Sequence, residues 1–187
     1  MREAGFVLAG GRSSRMGRDK ALLRHWGVPL VVRAAAALSQ VVASVTILGD
    51  PGVYGHFGWP ALADETPQLG PIGGLITALE HTDAEWNLVV ACDMPELSPA
   101  LFRELIRKTV RSRKRCIAPL VEGEMEPLCA VYRRTALADV QLAVQAGHLK
   151  MRDLLAQLGA APVTGLDPAG FRNVNTPDDW SSYLHRR

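Results

Sequence analysis

The sequence predicts an α/β fold in which a mainly parallel, doubly wound sheet is covered by helices on both faces. Two observations carry this prediction. Short apolar runs alternate with helical patterns, and the first strand-like run is apolar at nearly every position. Continuous apolar strands are typical of parallel sheets that are buried on both sides. We expect one small antiparallel excursion, because residues 116–134 resemble two strands joined at 122–126 at one edge of the sheet.

The first half of the chain supplies most of the predicted sheet. Its predicted strands are 5–10, 43–48, 60–63 and 86–92, and its predicted helices are 29–40, 70–82 and 98–113. Pro29 suits the first turn of its helix, and Ser98 is placed to cap the helix that begins with Pro99. The sequence Gly-Asp-Pro-Gly at 49–52 stops the second strand.

The second half adds three predicted helices. They are 135–146, 151–158 and a final helix that Thr176 caps, with Pro177 in its first position and Asp178 and Asp179 in its first turn. Side-chain oxygens at the cap and acidic groups in the first turn both favour such a helix. Without internal repeats or a long linker, residues 1–187 are expected to form a single domain.

The composition narrows the classes of protein to which the chain can belong. Its 187 residues are 48% hydrophobic and 21% charged, with a net charge of +2, so neither nucleic acid nor membrane is expected as a partner. No apolar run approaches the roughly 20 residues that span a bilayer, and no secretory signal is visible. The three cysteines lack paired ligand spacing, which favours reduced thiols in a cytoplasmic protein.

A glycine-rich loop (residues 9–17) follows the first predicted strand. Gly10 and Gly11 allow close approach of a ligand to the backbone, while Arg15 and Lys20 add positive charge. Backbone N–H groups with such cations form a phosphate cradle. The spacing fits neither a Walker loop nor the dinucleotide-binding fingerprint. The alternative is a solvated connection without a ligand.

Two carboxylates follow predicted strands at the same sheet edge. Asp93 comes directly after residues 86–92, where a single carboxylate beside phosphates suits Mg²⁺. Asp64 follows the third predicted strand, close to glycines 70, 73 and 74, which would let a flat base lie on the backbone. Asp93 is alternatively a turn residue, and the glycines alternatively serve helix packing.

These motifs together resemble the molybdenum cofactor guanylyltransferases, the MobA-type nucleotidyltransferases. The resemblance rests on "LAGGRSSRMGRDKALL", "GPIGGL", "CDMP", "EPLCAVYRR" and "RNVNTPDD". It spans nearly the whole chain and implies a Rossmann-like fold similar to that of the nucleotide-diphospho-sugar transferases. The implied reaction transfers GMP from GTP to the terminal phosphate of the molybdopterin-bound molybdenum cofactor and releases pyrophosphate. Cofactor-delivery proteins and apo-molybdoenzymes are then candidate partners.

The resemblance also implies roles for individual residues. Those assigned to GTP are Leu8, Ala9, Gly10, Gly11, Lys20, Asp64 and Asp93, and those assigned to catalysis are Arg15, Lys20 and Asp93. Asp93 would also bind Mg²⁺. The chain departs from the family after its second strand, where residues 48–50 read Leu-Gly-Asp instead of carrying asparagine, although Asp50 could partly substitute. Asn173 and Asn175 would face the pterin, or else cap a turn.

Two further functions remain open at this point. A relative could use CTP on the same pterin or on another small phosphorylated acceptor, although Gly10 favours GTP because cytidylyl relatives tend to have alanine there. The second open function is that of a carrier without enzymatic activity. The presence of both Lys20 and Asp93 argues against it. The basic run at 107–115 could attract RNA, but it fits a solvated helix end better.

Overall fold

Strands and helices alternate along the chain as the sequence predicts. The computed structural model describes residues 3–9 and 19–185. The strands are β1 (Ala4–Leu8), β2 (Arg24–His25), β3 (Val28–Pro29), β4 (Ser44–Leu48), β5 (Ala61–Leu62), β6 (Trp86–Ala91), β7 (Cys116–Val121), β8 (Glu124–Met125), β9 (Cys129–Arg133) and β10 (Ala161–Val163). The helices are α1 (Leu30–Leu38), α2 (Pro51–Tyr54), α3 (Pro71–Glu80), α4 (Pro99–Arg107), α5 (Leu137–Gln145), α6 (Met151–Gln157) and α7 (Pro177–His185). Short 3₁₀ turns cover Lys20–Leu22, Gly55–Phe57, Pro67–Leu69, Arg134–Ala136 and Pro168–Phe171.

The main sheet is mostly parallel, which confirms the predicted fold class. Its strand order is β10-β7-β9-β6-β1-β4-β5, and β8 pairs with β7 beside this path. β1 is parallel to both β4 and β6, while β9 is antiparallel to both β6 and β7. The antiparallel excursion was expected at a sheet edge, and that placement is wrong. β9 lies inside the sheet because β7 and β10 extend it further, with β10 parallel to β7.

The two faces of the sheet carry separate apolar layers. Along β1, Phe6 packs with α3, α5 and α6 on one face, and Val7 packs with α1 and α4 on the other. Neighbouring residues of β6 alternate in the same way, with Val89 on the first face and Val90 on the second. Successive side chains of a strand point to opposite faces, so a nearly continuous apolar run covers both. Fully burying each such side chain contributes about 1.5–3 kcal/mol.

Several helix ends follow the predicted capping pattern. Ser98 accepts a hydrogen bond from the Leu101 N–H at 3.4 Å, and Thr176 accepts one from the Asp179 N–H at 3.0 Å. α4 was expected to continue to residue 113, but it ends at Arg107. The Thr109 hydroxyl there donates to the Ile106 carbonyl at 2.7 Å, which satisfies a carbonyl at the helix end. None of the helices within residues 3–9 and 19–185 is long and apolar enough to cross a membrane.

Candidate active site

A cavity of about 640 Å³ opens at the carboxyl edge of the parallel strands. Ligands of open α/β sheets bind at this edge, where the strand order reverses. β1 is the first strand of the chain and lies between β4 and β6, so the cavity sits at such a reversal. The predicted site residues that line it are Leu8, Ala9, Lys20, Asp64 and Asp93. Gly10, Gly11 and Arg15 lie outside the described residues.

Asp93 stands just beyond the end of β6 and lines the cavity. Its side chain is 22% exposed, and its Oδ1 atom is buried without a hydrogen-bond partner among the described residues. Burial raises the pKa of Asp93 above its usual value, and the nearby Lys20 ammonium opposes this shift. A buried carboxylate oxygen that lacks a partner is a ligand suited to a hard cation such as Mg²⁺.

Lys20 lies beside Asp93 in the cavity lining. Its Nζ atom lies 3.8 Å from Asp93 Oδ2 and donates a hydrogen bond of 2.8 Å to Asn175 Oδ1. The lysine begins the 3₁₀ turn Lys20–Leu22, which Asp19 caps by accepting from the Ala21 N–H at 3.0 Å. The ammonium group is therefore held between an anionic and a neutral acceptor at the edge of an open cavity, where it can meet phosphate oxygens.

The segment before α7 completes this side of the site. The Val174 N–H donates to the Asp93 carbonyl at 2.9 Å, which anchors the segment beside the end of β6. Asp179 accepts from the Asn175 N–H at 3.0 Å and so fixes the backbone at Asn175. The sequence did not distinguish a ligand-facing Asn175 from a capping one. The structure pairs its side chain with Lys20, 155 positions earlier, and no local signal predicts a contact over that distance.

Asp64, which follows β5, also lines the cavity. Its Oδ1 atom accepts from the Thr66 N–H at 2.9 Å and lies 3.4 Å from the Thr77 hydroxyl of α3. Thr77 is fully buried in α3, so its hydroxyl helps to fix the position of the Asp64 carboxylate. A carboxylate positioned in this way is an acceptor for the N–H or O–H groups of a ligand.

The glycines at the start of α3 take part in helix packing and in the cavity lining. A Cβ atom on Gly73 would lie 2.3 Å from the Thr66 carbonyl oxygen, so this glycine is needed for packing. A Cβ atom on Gly74 would lie 2.8 Å from Leu8 Cδ2, and Gly74 also lines the cavity. Gly70 lines the cavity with a φ of +66°, a conformation that glycine adopts at little cost.

At the cavity, the backbone of β1 and of the residue after it is hydrogen-bonded to the neighbouring strands. The Ala9 N–H donates to the Leu48 carbonyl at 2.9 Å, and the Leu8 carbonyl accepts from the Cys92 N–H at 3.3 Å. Each carbonyl oxygen has a second lone pair. At Leu8 the strand therefore offers an acceptor rather than a donor to a ligand, whereas the Ala9 carbonyl oxygen lies 3.0 Å from the Tyr54 hydroxyl.

The stretch at residues 48–50 does not supply a polar side chain to the cavity. Leu48 is part of the lining, and Asp50 is not. Asp50 instead accepts from the Gly52 N–H at 2.8 Å and caps α2. The carboxylate that could have partly substituted for a family asparagine is thus used to cap a helix.

A second carboxylate that the sequence analysis did not single out lies near Asp93. Glu126 accepts from the N–H of Leu128, a cavity residue, at 3.0 Å. Burial raises the pKa of Glu126, the hydrogen bond from Leu128 and the charge of Arg152 oppose this shift, and the charge of Asp93 adds to it. No group of three or more His, Cys, Asp or Glu side chains that could hold a metal ion occurs in the described part of the chain.

Comparison with known proteins gives concordant results. A family model described as "MobA-like NTP transferase domain" matches residues 5–162. The molybdenum cofactor guanylyltransferase of Xanthomonas euvesicatoria pv. vesicatoria is 39% identical over 97% of this chain and 94% of its own length. A probable molybdenum cofactor guanylyltransferase of Flavobacterium johnsoniae is 30% identical over 93% of this chain and 92% of its own length.

A solved structure shows the same fold. The molybdopterin-guanine dinucleotide biosynthesis protein A of Archaeoglobus fulgidus superimposes with a TM-score of 0.83 at 22% identity. The match covers 98% of this chain and 100% of that protein.

Proposed function

Because this chain belongs to the MobA-like NTP transferase family, we propose that it transfers GMP from GTP to the terminal phosphate of the molybdopterin-bound molybdenum cofactor. The products are the guanine dinucleotide form of the cofactor and pyrophosphate. The observation that carries the proposal is the meeting of Lys20, Asp64 and Asp93 around one cavity at the carboxyl edge of the sheet.

The acceptors in the cavity suit guanine. Its N1–H and N2–H₂ groups are donors, and the carbonyl oxygen of Leu8 together with the Asp64 carboxylate offers acceptors. A buried site that pairs with these donors disfavours a base that leaves its acceptors unpaired, at about 1–3 kcal/mol for each group. Gly10 and Gly11 are assigned to the nucleotide by the resemblance alone.

Asp93 fits the role of a magnesium ligand, since its buried Oδ1 has no partner among the described residues. Mg²⁺ bound there with phosphate oxygens would neutralise the charge that builds on the triphosphate. In the reaction, an oxygen of the acceptor's terminal phosphate forms a bond to the α-phosphorus of GTP. The bond from that phosphorus to the oxygen bridging the α- and β-phosphates breaks, and the electron pair leaves with pyrophosphate.

Lys20 supplies the positive charge that this chain itself contributes at the triphosphate. Its Nζ atom lies between Asp93 and Asn175, close to where the carboxylate would hold metal and phosphate. Phosphoryl transfer of this kind depends mostly on positioning and on electrostatic stabilisation, so the mechanism needs no side-chain nucleophile. Arg15, which lies outside the described residues, is assigned a similar role by the resemblance.

The wider setting of the reaction is also part of this proposal. We place the enzyme in the cytoplasm, where GTP is available and where its three cysteines, all free and buried, would stay reduced. The 187 residues would act as one nucleotidyltransferase domain. Apo-molybdoenzymes and cofactor-delivery proteins would receive the product.

Pyrophosphate release tests the proposed reaction. The protein is incubated with GTP, Mg²⁺ and molybdopterin-bound molybdenum cofactor, and pyrophosphate is measured with and without the acceptor. We expect release that requires the acceptor and that is lost in Asp93→Ala, while this variant still binds GTP. Binding of GTP without any release would instead identify a carrier.

A further inference from the structure

The Tyr54 side chain contacts the residues on either side of residues 10–18. Tyr54 lies at the end of α2, and its side chain is 4% exposed. Its hydroxyl lies 3.0 Å from the Ala9 carbonyl oxygen and 2.5 Å from Asp19 Oδ2. Ala9 directly precedes residues 10–18, and Asp19 directly follows them. A single phenol therefore contacts both of the described residues that flank this stretch.

The contact to Asp19 continues to Lys20. Asp19 uses its other oxygen, Oδ1, to accept from the Ala21 N–H at 3.0 Å, and its own carbonyl accepts from the Leu22 N–H at 3.1 Å. These bonds set the start of the 3₁₀ turn whose first residue is Lys20. Because both carboxylate oxygens are engaged, rotation of the Asp19 side chain would move the turn and its lysine.

The hydroxyl of Tyr54 remains a donor throughout the working range of pH. Burial and the hydrogen bond to Asp19 both raise the pKa of Tyr54, so the phenol keeps its proton. That one proton faces two acceptors, and the closer of them belongs to a carboxylate, which makes the stronger kind of hydrogen bond. The ring itself belongs to the apolar layer beneath α1, so the ring and the hydroxyl have separable roles.

Resting on the proposed function, we propose that Tyr54 is a positioning residue. Its hydroxyl acts through Asp19 to hold Lys20 where the ammonium group meets the triphosphate. Tyr54 itself is not among the residues that line the cavity. Its contribution to nucleotide binding therefore exists only while Lys20 is present, whereas a contribution to folding alone would not depend on Lys20.

A double-mutant cycle on the full chain tests this dependence. Tyr54→Phe keeps the ring and removes the hydroxyl, and the Kd for Mg²⁺-GTP is measured by calorimetry in the native and Lys20→Ala backgrounds. We expect Tyr54→Phe to weaken binding roughly tenfold in the native background, the size typical of a lost hydrogen bond to a charged group. In the Lys20→Ala background the further loss should be less than about twofold, because coupled residues are not additive.

Two further variants keep the test decisive. Asp19→Asn can still cap the turn through its amide oxygen, and it should show the same dependence on Lys20 if Tyr54→Phe does not fold. Tyr132→Phe is the matched control, because it removes a fully buried hydroxyl that donates to the Pro127 carbonyl at 2.8 Å. We expect it to lower the free energy of unfolding while leaving the Kd for GTP unchanged.

The outcomes separate this proposal from the proposed function. If the native protein binds GTP and Tyr54→Phe weakens binding equally in both backgrounds, or not at all, the positioning role is overturned and the transferase is not. If the native protein binds no GTP, both are overturned. Loss confined to the background that contains Lys20 supports both.

Discussion

Replacing Asp93 by asparagine should stabilise the protein without ligands while abolishing its activity. Asp93 holds a charge in a mostly buried position, and its Oδ1 atom has no hydrogen-bond partner in the described part of the chain. An unpaired buried polar group costs about 1–3 kcal/mol, and the cost is larger for a charged group than for a neutral one. A residue that lowers stability in this way is typical of positions that are kept for function.

The magnitude follows from two opposing changes. Asp93→Asn removes the desolvation penalty of the charge, but it also removes the attraction to Lys20 at 3.8 Å, which in a partly exposed pair is worth at most about 1 kcal/mol. The net gain in the free energy of unfolding should be about 1 kcal/mol. For a chain of this size, that gain raises Tm by roughly 2–4 °C.

The gain should depend on pH in a defined direction. Burial raises the pKa of Asp93 in the folded protein above its value in the unfolded chain. The native protein therefore loses stability as pH rises from the unfolded pKa through the folded one, because the folded state binds more protons in that window. Asp93→Asn lacks this loss. The gain in the free energy of unfolding of Asp93→Asn over the native protein should be absent in acid, where native Asp93 is protonated. It should be complete above the folded pKa of Asp93.

The assay is urea unfolding without nucleotide or metal, at several pH values, paired with the transfer reaction. Asp93→Asn should transfer GMP at least about a hundredfold more slowly, since the ligand for a catalytic cation is lost. The control is Asp83→Asn, at a fully exposed carboxylate, which should change neither property. An Asp93→Asn protein that is less stable than the native one at neutral pH, or that transfers at a near-normal rate, would refute this reasoning.

Substitutions at Lys20, Asn175 and Gly73 test the rest of the site. Lys20→Ala should weaken GTP binding by roughly tenfold or more by calorimetry, and Lys20→Arg should restore little because the two cations differ in shape and hydration; native affinity in Lys20→Ala would place the lysine outside the site. Asn175→Ala should slow transfer by a smaller factor, roughly threefold to tenfold, because Lys20 loses its 2.8 Å acceptor but keeps Asp93; an unchanged kcat/KM would make this contact incidental. Gly73→Ala should lower the free energy of unfolding by about 1–3 kcal/mol through the clash with the Thr66 carbonyl, whereas Gly55→Ala, where a Cβ atom meets open space, should change it little; equal effects in urea unfolding would disprove the packing role.

The sequence predicts the parallel core and the position of Asp93 because both depend on local signals. A continuous apolar strand such as β6 marks a buried position, and the residue after it must emerge at the carboxyl edge. The short elements were missed for a physical reason. β2, β3 and α2 have two, two and four residues, which is too few to display a period. β10 has three residues and contains Pro162, which argues against a strand.

Local sequence patterns did not predict the contacts between distant parts of the chain. Asn175 reaches Lys20, and Tyr54 reaches both Ala9 and Asp19, only because the fold brings their segments together. The antiparallel β9 was recognised as a strand, but its place between β6 and β7 depends on β10 extending the sheet beyond it. Pairing order of this kind is set by the packing of whole elements, since each strand's own residues fit several neighbours.

A competition reaction tests the central claim most directly. The full-length protein is incubated with Mg²⁺, molybdopterin-bound molybdenum cofactor and equal concentrations of GTP, CTP and ATP, and the dinucleotide products are identified by mass spectrometry. We predict the guanine dinucleotide as the dominant product, formed together with an equal amount of pyrophosphate, because the cavity offers acceptors to the donor edge of guanine. A dominant cytosine dinucleotide would contradict the assignment of GTP, and the absence of any dinucleotide would contradict the assignment of the reaction.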